Sequence, residues 1–234
     1  MHLIEVLDLK KYYSTGFINR QYTKAIDGAS FCIERGETLG LLGESGCGKT
    51  TLGRLLLRLI EPTSGKISFD GTDITRLSRK GMRSLRPRMQ MIFQDPESSL
   101  DPRMRIRESI AEPFKLGLRG KMSRSEMDEN IMGLIETVGL NPEHLNRYPY
   151  QLSGGQNQRV ALARILAINP EFIVADEPTA SLDVSVQAQI LHLMMDLKRE
   201  FGLTMLFISH DMEVVRHMSD RIAFMEKGRV VLEG

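Results

Sequence analysis

Tryptophan is absent from this chain, cysteine occurs twice, and no apolar run approaches the length of a membrane span. The longest runs, "TLGLLG" at Thr38 to Gly43 and "FIVA" at Phe172 to Ala175, fall far below the roughly 20 residues that a spanning helix needs. The opening "MHLIEVLDLKKYY" lacks the layout of a signal peptide, so a cytosolic protein is expected. Cys32 and Cys47 cannot build a disulfide framework, and Cys47 sits in a glycine-rich loop. Free thiols and no cysteine-held metal are expected. Charge of one sign is missing as well: 31 Lys and Arg against 30 Asp and Glu leave a formal +1 with no basic arm, which disfavours a dedicated nucleic-acid binder. What is present, 234 residues that are 41% hydrophobic and 26% charged, is the profile of a globular protein with a real core.

The order of patterns predicts an α/β fold. Short β-type runs ("LIEVLDL", "ASFCIE", "TLGLLG", "GKISFD") fill the first third, with one helical segment, Lys49 to Ile60, directly after the third run. "STGFINRQYTK", Ser14 to Lys24, reads as a loop insertion. From about Ile74 to Asn146 the patterning turns helical, in "MRSLRPRMQMIF", "MRIRESIAEPFKLGL" and "SRSEMDENIMGLIETVGL", and predicts a helical insertion. The last third alternates again: helix Gly154–Ile168, strand Phe172–Asp176, helix Val184–Phe201, strand Thr204–Ser209, helix Asp211–Met218 and a hairpin around "EKG". Strands alternating with helices argue for a parallel sheet.

"GESGCGKT", Gly43 to Thr50, fits G-x-x-x-x-G-K-[ST] between an apolar strand and a helix, the context a P-loop requires. Backbone N–H groups from Gly46 onward and the helix dipole favour a β-phosphate there, Lys49 reaches the β and γ oxygens, and Thr50 offers its hydroxyl to Mg²⁺. In "EFIVADEP" a buried strand ends on two carboxylates: Asp176 suits a metal-holding role and Glu177 suits a general base acting on water. "QLSGGQNQRVALARILA", Gln151 to Ala167, poses a puzzle. Its S-x-x-Q from Ser153 to Gln156 is a capping box, yet "SRSE" at Ser123 to Glu126 makes a similar box without glycine. Gly154 and Gly155 therefore ask for another cause, and close approach to the backbone is the usual one.

Read together, "GESGCGKTT", "QDP", "LSGGQ", "VADEP", "SLD" and "SHD" resemble, in order and over essentially the whole chain, the nucleotide-binding domains of ABC transporters. The resemblance implies a P-loop NTPase (RecA-like) α/β core at about residues 1–74 and 170–234, with an N-terminal antiparallel β region. It also implies an inserted helical subdomain at 75–150, a signature helix at 151–169, and ATP with Mg²⁺ as ligands. Gly43, Glu44, Ser45, Gly46, Cys47, Gly48, Lys49, Thr50 and Thr51 would hold the nucleotide. Ser153, Gly154, Gly155 and Gln156 would act on ATP held by a partner's P-loop. Gln94 matches the Q-loop, near Mg²⁺ and water. His210 matches the switch histidine, near the γ-phosphate and Glu177. Asp183 matches the D-loop, and an ordinary helix N-cap for Val184 onward is compatible with it. Adenine stacking falls to Tyr13, with Tyr12 and Tyr22 as alternatives.

"QDPESSLDPRM", "ESIAEPF" and "RYPYQLSGGQ" resemble the peptide and nickel uptake branch more specifically. That implies a peripheral ATPase subunit on the cytoplasmic face of the membrane. Its partners would be integral permease subunits, a second ABC ATP-binding subunit, identical or paralogous, and indirectly an extracytoplasmic solute-binding protein. In this branch the region after Gln94 receives a helix of the permease, which makes Met104 and Ile106 candidate interface residues. Peptide-type members carry a longer C-terminal extension than one stopping at "VVLEG", and short forms make nickel or metal-chelate uptake the alternative solute class. The competing function class is a soluble ABC ATPase working on DNA or ribosomes. A P-loop kinase would not explain LSGGQ, Gln94 and His210 together.

Overall fold

The computed structural model describes residues 1–15, 21–95, 99–118 and 122–232. β1 (His2–Thr15) and β2 (Gln21–Glu34) form a long antiparallel pair, which β4 (Ser64–Phe69) and the short β5 (Thr72–Asp73) extend to a four-stranded sheet in the order β2-β1-β4-β5. Strand alternation sets its faces. Ile4 and Val6 meet Ile33 and Phe31 on the buried side, while Glu5 pairs with Cys32 on the other. The expected loop over Ser14–Lys24 is smaller than its composition suggested. Tyr13 pairs with Thr23, Ser14 with Tyr22 and Thr15 with Gln21, because Tyr and Thr favour extended pairing. Residues 16–20 of that segment lie outside the described residues.

β3 (Thr38–Leu42), β6 (Met89–Ile92), β7 (Phe172–Asp176), β8 (Thr204–Ser209), β9 (Arg221–Glu226) and β10 (Arg229–Leu232) make a second sheet, ordered β10-β9-β3-β8-β7-β6. All its pairs are parallel except the β9–β10 hairpin. β3, β7 and β8 are buried throughout, as strands covered on both faces must be. Phe172, Val174, Leu206 and Ile208 join one core with the antiparallel sheet and α1 (Lys49–Leu56). Ile173, Ala175, Met205 and Phe207 join the other, under α3 (Ile106–Lys115), α4 (Arg124–Thr137), α5 (Gly154–Leu166), α6 (Val184–Phe201) and α7 (Met212–Met218).

The largest departures from the sequence expectation lie at the end of α1 and in the region 75–150. α1 stops at Leu56 rather than Ile60, because Arg58 takes a left-handed φ of 51° and turns its guanidinium inward to Ile74 O at 2.9 Å and Ile60 O at 3.3 Å. The region 75–150 is not helical throughout. After the short α2 (Arg79–Met82) and a 3₁₀ turn at Arg86–Arg88, the supposedly helical "MQMI" is β6, paired in parallel with β7. A four-residue strand leaves too short an alternation to outweigh the helix-forming Met, Arg and Leu around it. Among the described residues no helix is long and apolar enough to cross a membrane.

Candidate nucleotide site

Parallel pairing brings four chain segments to one edge of the sheet. Leu42 of β3 lies beside Ser209 of β8, Ile208 beside Asp176 of β7, and Ala175 beside Ile92 of β6. The P-loop after β3, His210 after β8, Asp176 and Glu177 at the end of β7, and Gln94 after β6 therefore arrive together at the carboxyl ends of the strands, where open α/β sheets hold ligands. A concave site of about 260 Å³ is lined there by Ser45, Gly46, Gly48, Lys49, Thr50, Thr51, Gln94 and Glu177.

Gly48 leaves no room for a side chain: its φ is 114°, and a Cβ would sit 2.3 Å from Ala25 O. Lys49 opens α1 and is buried, its ammonium donating to Gly43 O at 2.6 Å and Glu44 O at 2.9 Å. An arriving phosphate would compete with these two carbonyls for a charge already aimed at the loop. The Thr50 hydroxyl donates to Asp176 Oδ1 at 3.1 Å. Asp176 is buried, and burial raises its carboxyl above the ordinary aspartate value although Thr50, Arg54 and Lys49 all pull the other way. Such a carboxylate, with a hydroxyl beside it, fits a divalent cation.

Glu177 does not continue the strand. Its φ of 47° puts a non-glycine residue in the left-handed region, a conformation that persists only where the surroundings fix it. Its N–H donates to Ile208 O at 3.0 Å. The carboxylate is reached from both sides: Gln94 Nε2 lies 3.4 Å from Oε2, and His210 Nδ1 lies 3.4 Å from Oε1. Gln94 and His210 are both exposed.

The tyrosines separate by what holds them. The Tyr12 hydroxyl donates to Asp27. Tyr13, next along β1 and so on the opposite face, keeps an exposed ring with Lys11 Nζ 4.9 Å from its centroid. Tyr22 is exposed but falls on the face away from Tyr13, since it neighbours Thr23, Tyr13's cross-strand partner.

The signature turn lies outside the lining of this concavity. The capping box is formed, with Gln156 N–H donating to Ser153 Oγ at 3.3 Å and Ser153 N–H to Gln156 Oε1 at 3.0 Å. The glycines have a packing cause that the sequence did not disclose. A Cβ at Gly155 would lie 2.4 Å from Val186 Cγ1 of α6, and one at Gly154 would lie 3.2 Å from Leu182. Ser153 and Asp183 are exposed. Asp183 occupies the N-cap position of α6, yet its side chain makes no capping bond.

Ile106, a candidate interface residue, is fully buried in the helical core, because it opens α3 on the inward face; Met104 is half-buried. A residue the sequence reading passed over is Gln158, fully buried on α5 with neither amide atom hydrogen-bonded. It lines a cavity of about 320 Å³ together with Phe93, Leu116, Leu118, Glu112 and Arg164. Its position was legible: Gly155, Gln158, Leu162 and Ile165 are spaced as one buried helical stripe.

The ABC transporter domain family matches residues 26–180. The oligopeptide transport ATP-binding protein AppF of Bacillus subtilis is 49% identical over 234 residues, covering 98% of this chain and 70% of the relative. OppF of the same organism, also an oligopeptide transport ATP-binding protein, is 50% identical over 230 residues, covering 98% and 74%. A dimeric ATP-binding cassette solved in a post-hydrolysis state with ADP and phosphate aligns with a TM-score of 0.87 at 31% identity, over 98% of this chain and 97% of that one. With a P-loop, paired carboxylates and a signature turn on the fold those relatives share, the chain belongs to the ABC transporter family and is one of its ATP-hydrolysing cassettes.

Proposed function

We propose that this cassette works at the cytoplasmic face of a membrane as an ATPase subunit of a peptide importer. It pairs head to tail with a second cassette and drives integral permease subunits fed by an extracytoplasmic solute-binding protein. Peptide is favoured over nickel as the solute because AppF and OppF are both named for oligopeptide transport. The observation that carries the catalytic part is Glu177. Beside the P-loop concavity, its carboxylate has Gln94 Nε2 3.4 Å from one oxygen and His210 Nδ1 3.4 Å from the other.

In this reading Tyr13 stacks on adenine, and Gly43 to Thr51 bind the phosphates, with the Lys49 ammonium moving from Gly43 O and Glu44 O to the β and γ oxygens. Thr50 and Asp176, with Gln94 nearby, are the residues that would hold Mg²⁺, which supplies neutralisation of the phosphate charge as the terminal group leaves. Glu177 orients and deprotonates water. Gln94 and His210 fix the direction of its carboxylate, and His210 also reaches the γ-phosphate. Ser153, Gly154, Gly155, Gln156 and Asp183 are absent from the lining of the chain's own concavity, which supports their acting on nucleotide bound by the second cassette.

The coupling to transport runs through the cavity at Gln158. Phe93, adjacent to Gln94, and Leu116 and Leu118 give it an exposed apolar rim, suited to a helix of the permease. Binding there bears on the segment that carries Gln94, and so on Glu177. The test is a transporter assembled with its permease subunits in proteoliposomes. Leu116→Asp should leave nucleotide binding by the free cassette unchanged and abolish peptide-stimulated hydrolysis. Full stimulation in that variant would overturn the assigned docking face.

A further inference from the structure

The outer corner of the antiparallel sheet, away from every group used above, carries a histidine, a thiol and a carboxylate together. His2 of β1 is the cross-strand partner of Glu34 of β2, and Cys32 lies two residues before Glu34, so its side chain emerges on the same face. A His2 ring nitrogen, Cys32 Sγ and a Glu34 carboxylate oxygen all lie within 4.8 Å of one another. We propose that His2, Cys32 and Glu34 form a zinc site that ties the start of the first strand to the end of the second.

Distance, charge and scaffold each support this. Ligand atoms around tetrahedral zinc, about 2.0–2.3 Å from the metal, stand roughly 3.3–3.7 Å apart. His2 Nδ1 and Glu34 Oε1, now in contact at 2.6 Å, need to part slightly, and the thiol needs to close in by no more than about 1.5 Å. Both movements are side-chain rotations on exposed or half-buried residues. Only one Glu34 oxygen is required. The other, Oε2, keeps its 2.7 Å ion pair with the Met1 amino group. On binding, the Cys32 thiol releases its proton to solvent, and thiolate plus carboxylate then balance the two charges of the metal while the imidazole stays neutral. Glu5, cross-strand partner of Cys32, adds negative charge to the same face.

The backbone beneath is fixed. Ile4 and Ile33 are fully buried on the inner face, and Arg221 Nη2 donates to Cys32 O at 2.6 Å, joining this corner to β9 of the parallel sheet. Mixed N, S and O donors suit zinc better than the hard cations, which prefer oxygen alone. Three protein ligands leave the fourth position to water. The site is therefore open and exchangeable, and stabilises the fold only in proportion to free metal.

Cobalt titration of the reduced, metal-free protein tests the proposal, because a cobalt–thiolate bond gives a charge-transfer absorption that nitrogen and oxygen ligands do not. The expected result is one equivalent of cobalt with that band, displaced by zinc. The band is lost in Cys32→Ser and retained in Cys47→Ser, and affinity falls at least about tenfold in His2→Ala. Zinc should also raise the thermal midpoint of the parent and not of Cys32→Ser, with circular dichroism confirming that both are folded. Absence of the band at stoichiometric cobalt, or a band that survives Cys32→Ser, overturns the site.

Discussion

Burial works against the charge of Asp176. Its pKa lies above the ordinary aspartate value because desolvation, joined by the neighbouring Glu177 charge, exceeds the help from Thr50, Arg54 and Lys49. A raised carboxyl pKa favours the folded state while the group is protonated, and that advantage is lost as pH rises through the raised value. Near neutrality the ionised carboxylate therefore costs stability in the nucleotide-free protein. Asp176→Asn keeps a partner for the Thr50 hydroxyl and removes the charge, so its thermal midpoint should exceed the parent's at pH 7, with the gap closing toward pH 4. The same change should weaken Mg²⁺-dependent ATP binding, a trade of stability against activity expected at a functional site. A parent more stable than the variant at pH 7 would contradict the account. The sequence pointed to Asp176 through its place after "FIVA"; it could not reveal the left-handed turn at Glu177, since the backbone angle depends on where β8 holds it, through Ile208 O.

At the scale of elements, the N-terminus of α5 is held against α6 by the lack of a side chain. Gly155→Ala would drive a methyl group to 2.4 Å from Val186 Cγ1. Overpacking of this kind costs about 1–3 kcal/mol. Urea unfolding should register that loss, and adding Val186→Ala should restore most of it; an unrescued loss would point to another cause. Gly154, with only Leu182 at 3.2 Å, should tolerate alanine better. Elsewhere, Arg35 and Arg88 bracket Asp70 and Glu171, joining the β2–β3 turn, the β4–β5 turn, the 3₁₀ turn before β6 and the approach to β7. The arginines lower the Glu171 pKa to about 2. A lowered carboxyl pKa contributes stability above the ordinary glutamate value, which is lost as pH falls from there through about 2. Glu171→Gln should thus cost about 1 kcal/mol at pH 7, modest because the pair is partly exposed. The deficit should shrink as pH falls below about 4.5 and vanish only below about 2, as thermal unfolding across that window would show. Long periodic elements were legible in the sequence: α6 and β8 fall at the expected residues. β6 was not, because "MQMI" owes its strand state to an open edge beside β7 rather than to local preference.

On the scale of the whole molecule, the chain gathers the P-loop, Gln94 and Glu177 at one concavity and leaves the signature turn outside its lining. Sheet topology delivers Lys49, Thr50, Asp176, Glu177, Gln94 and His210 to the carboxyl ends of the parallel strands; in the sequence, Gln94 and His210 could be joined to the others only through the resemblance to ABC nucleotide-binding domains. The signature turn was recognisable too, but the packing of its glycines on Val186 and Leu182 depends on a contact between separate helices that no local pattern encodes. The account stands on the claim that ATP completes its site between two cassettes and that Glu177 then releases it. Glu177→Gln tests this most directly, since it keeps shape and hydrogen bonding but removes the group that accepts a proton. Turnover and molecular mass should be measured together in Mg·ATP, with the second cassette supplied. The account predicts hydrolysis lower by roughly 10²–10⁴-fold and an accumulated ATP-bound dimer. Hydrolysis at the parent rate, or lost hydrolysis with cassettes that stay monomeric in Mg·ATP, would contradict it.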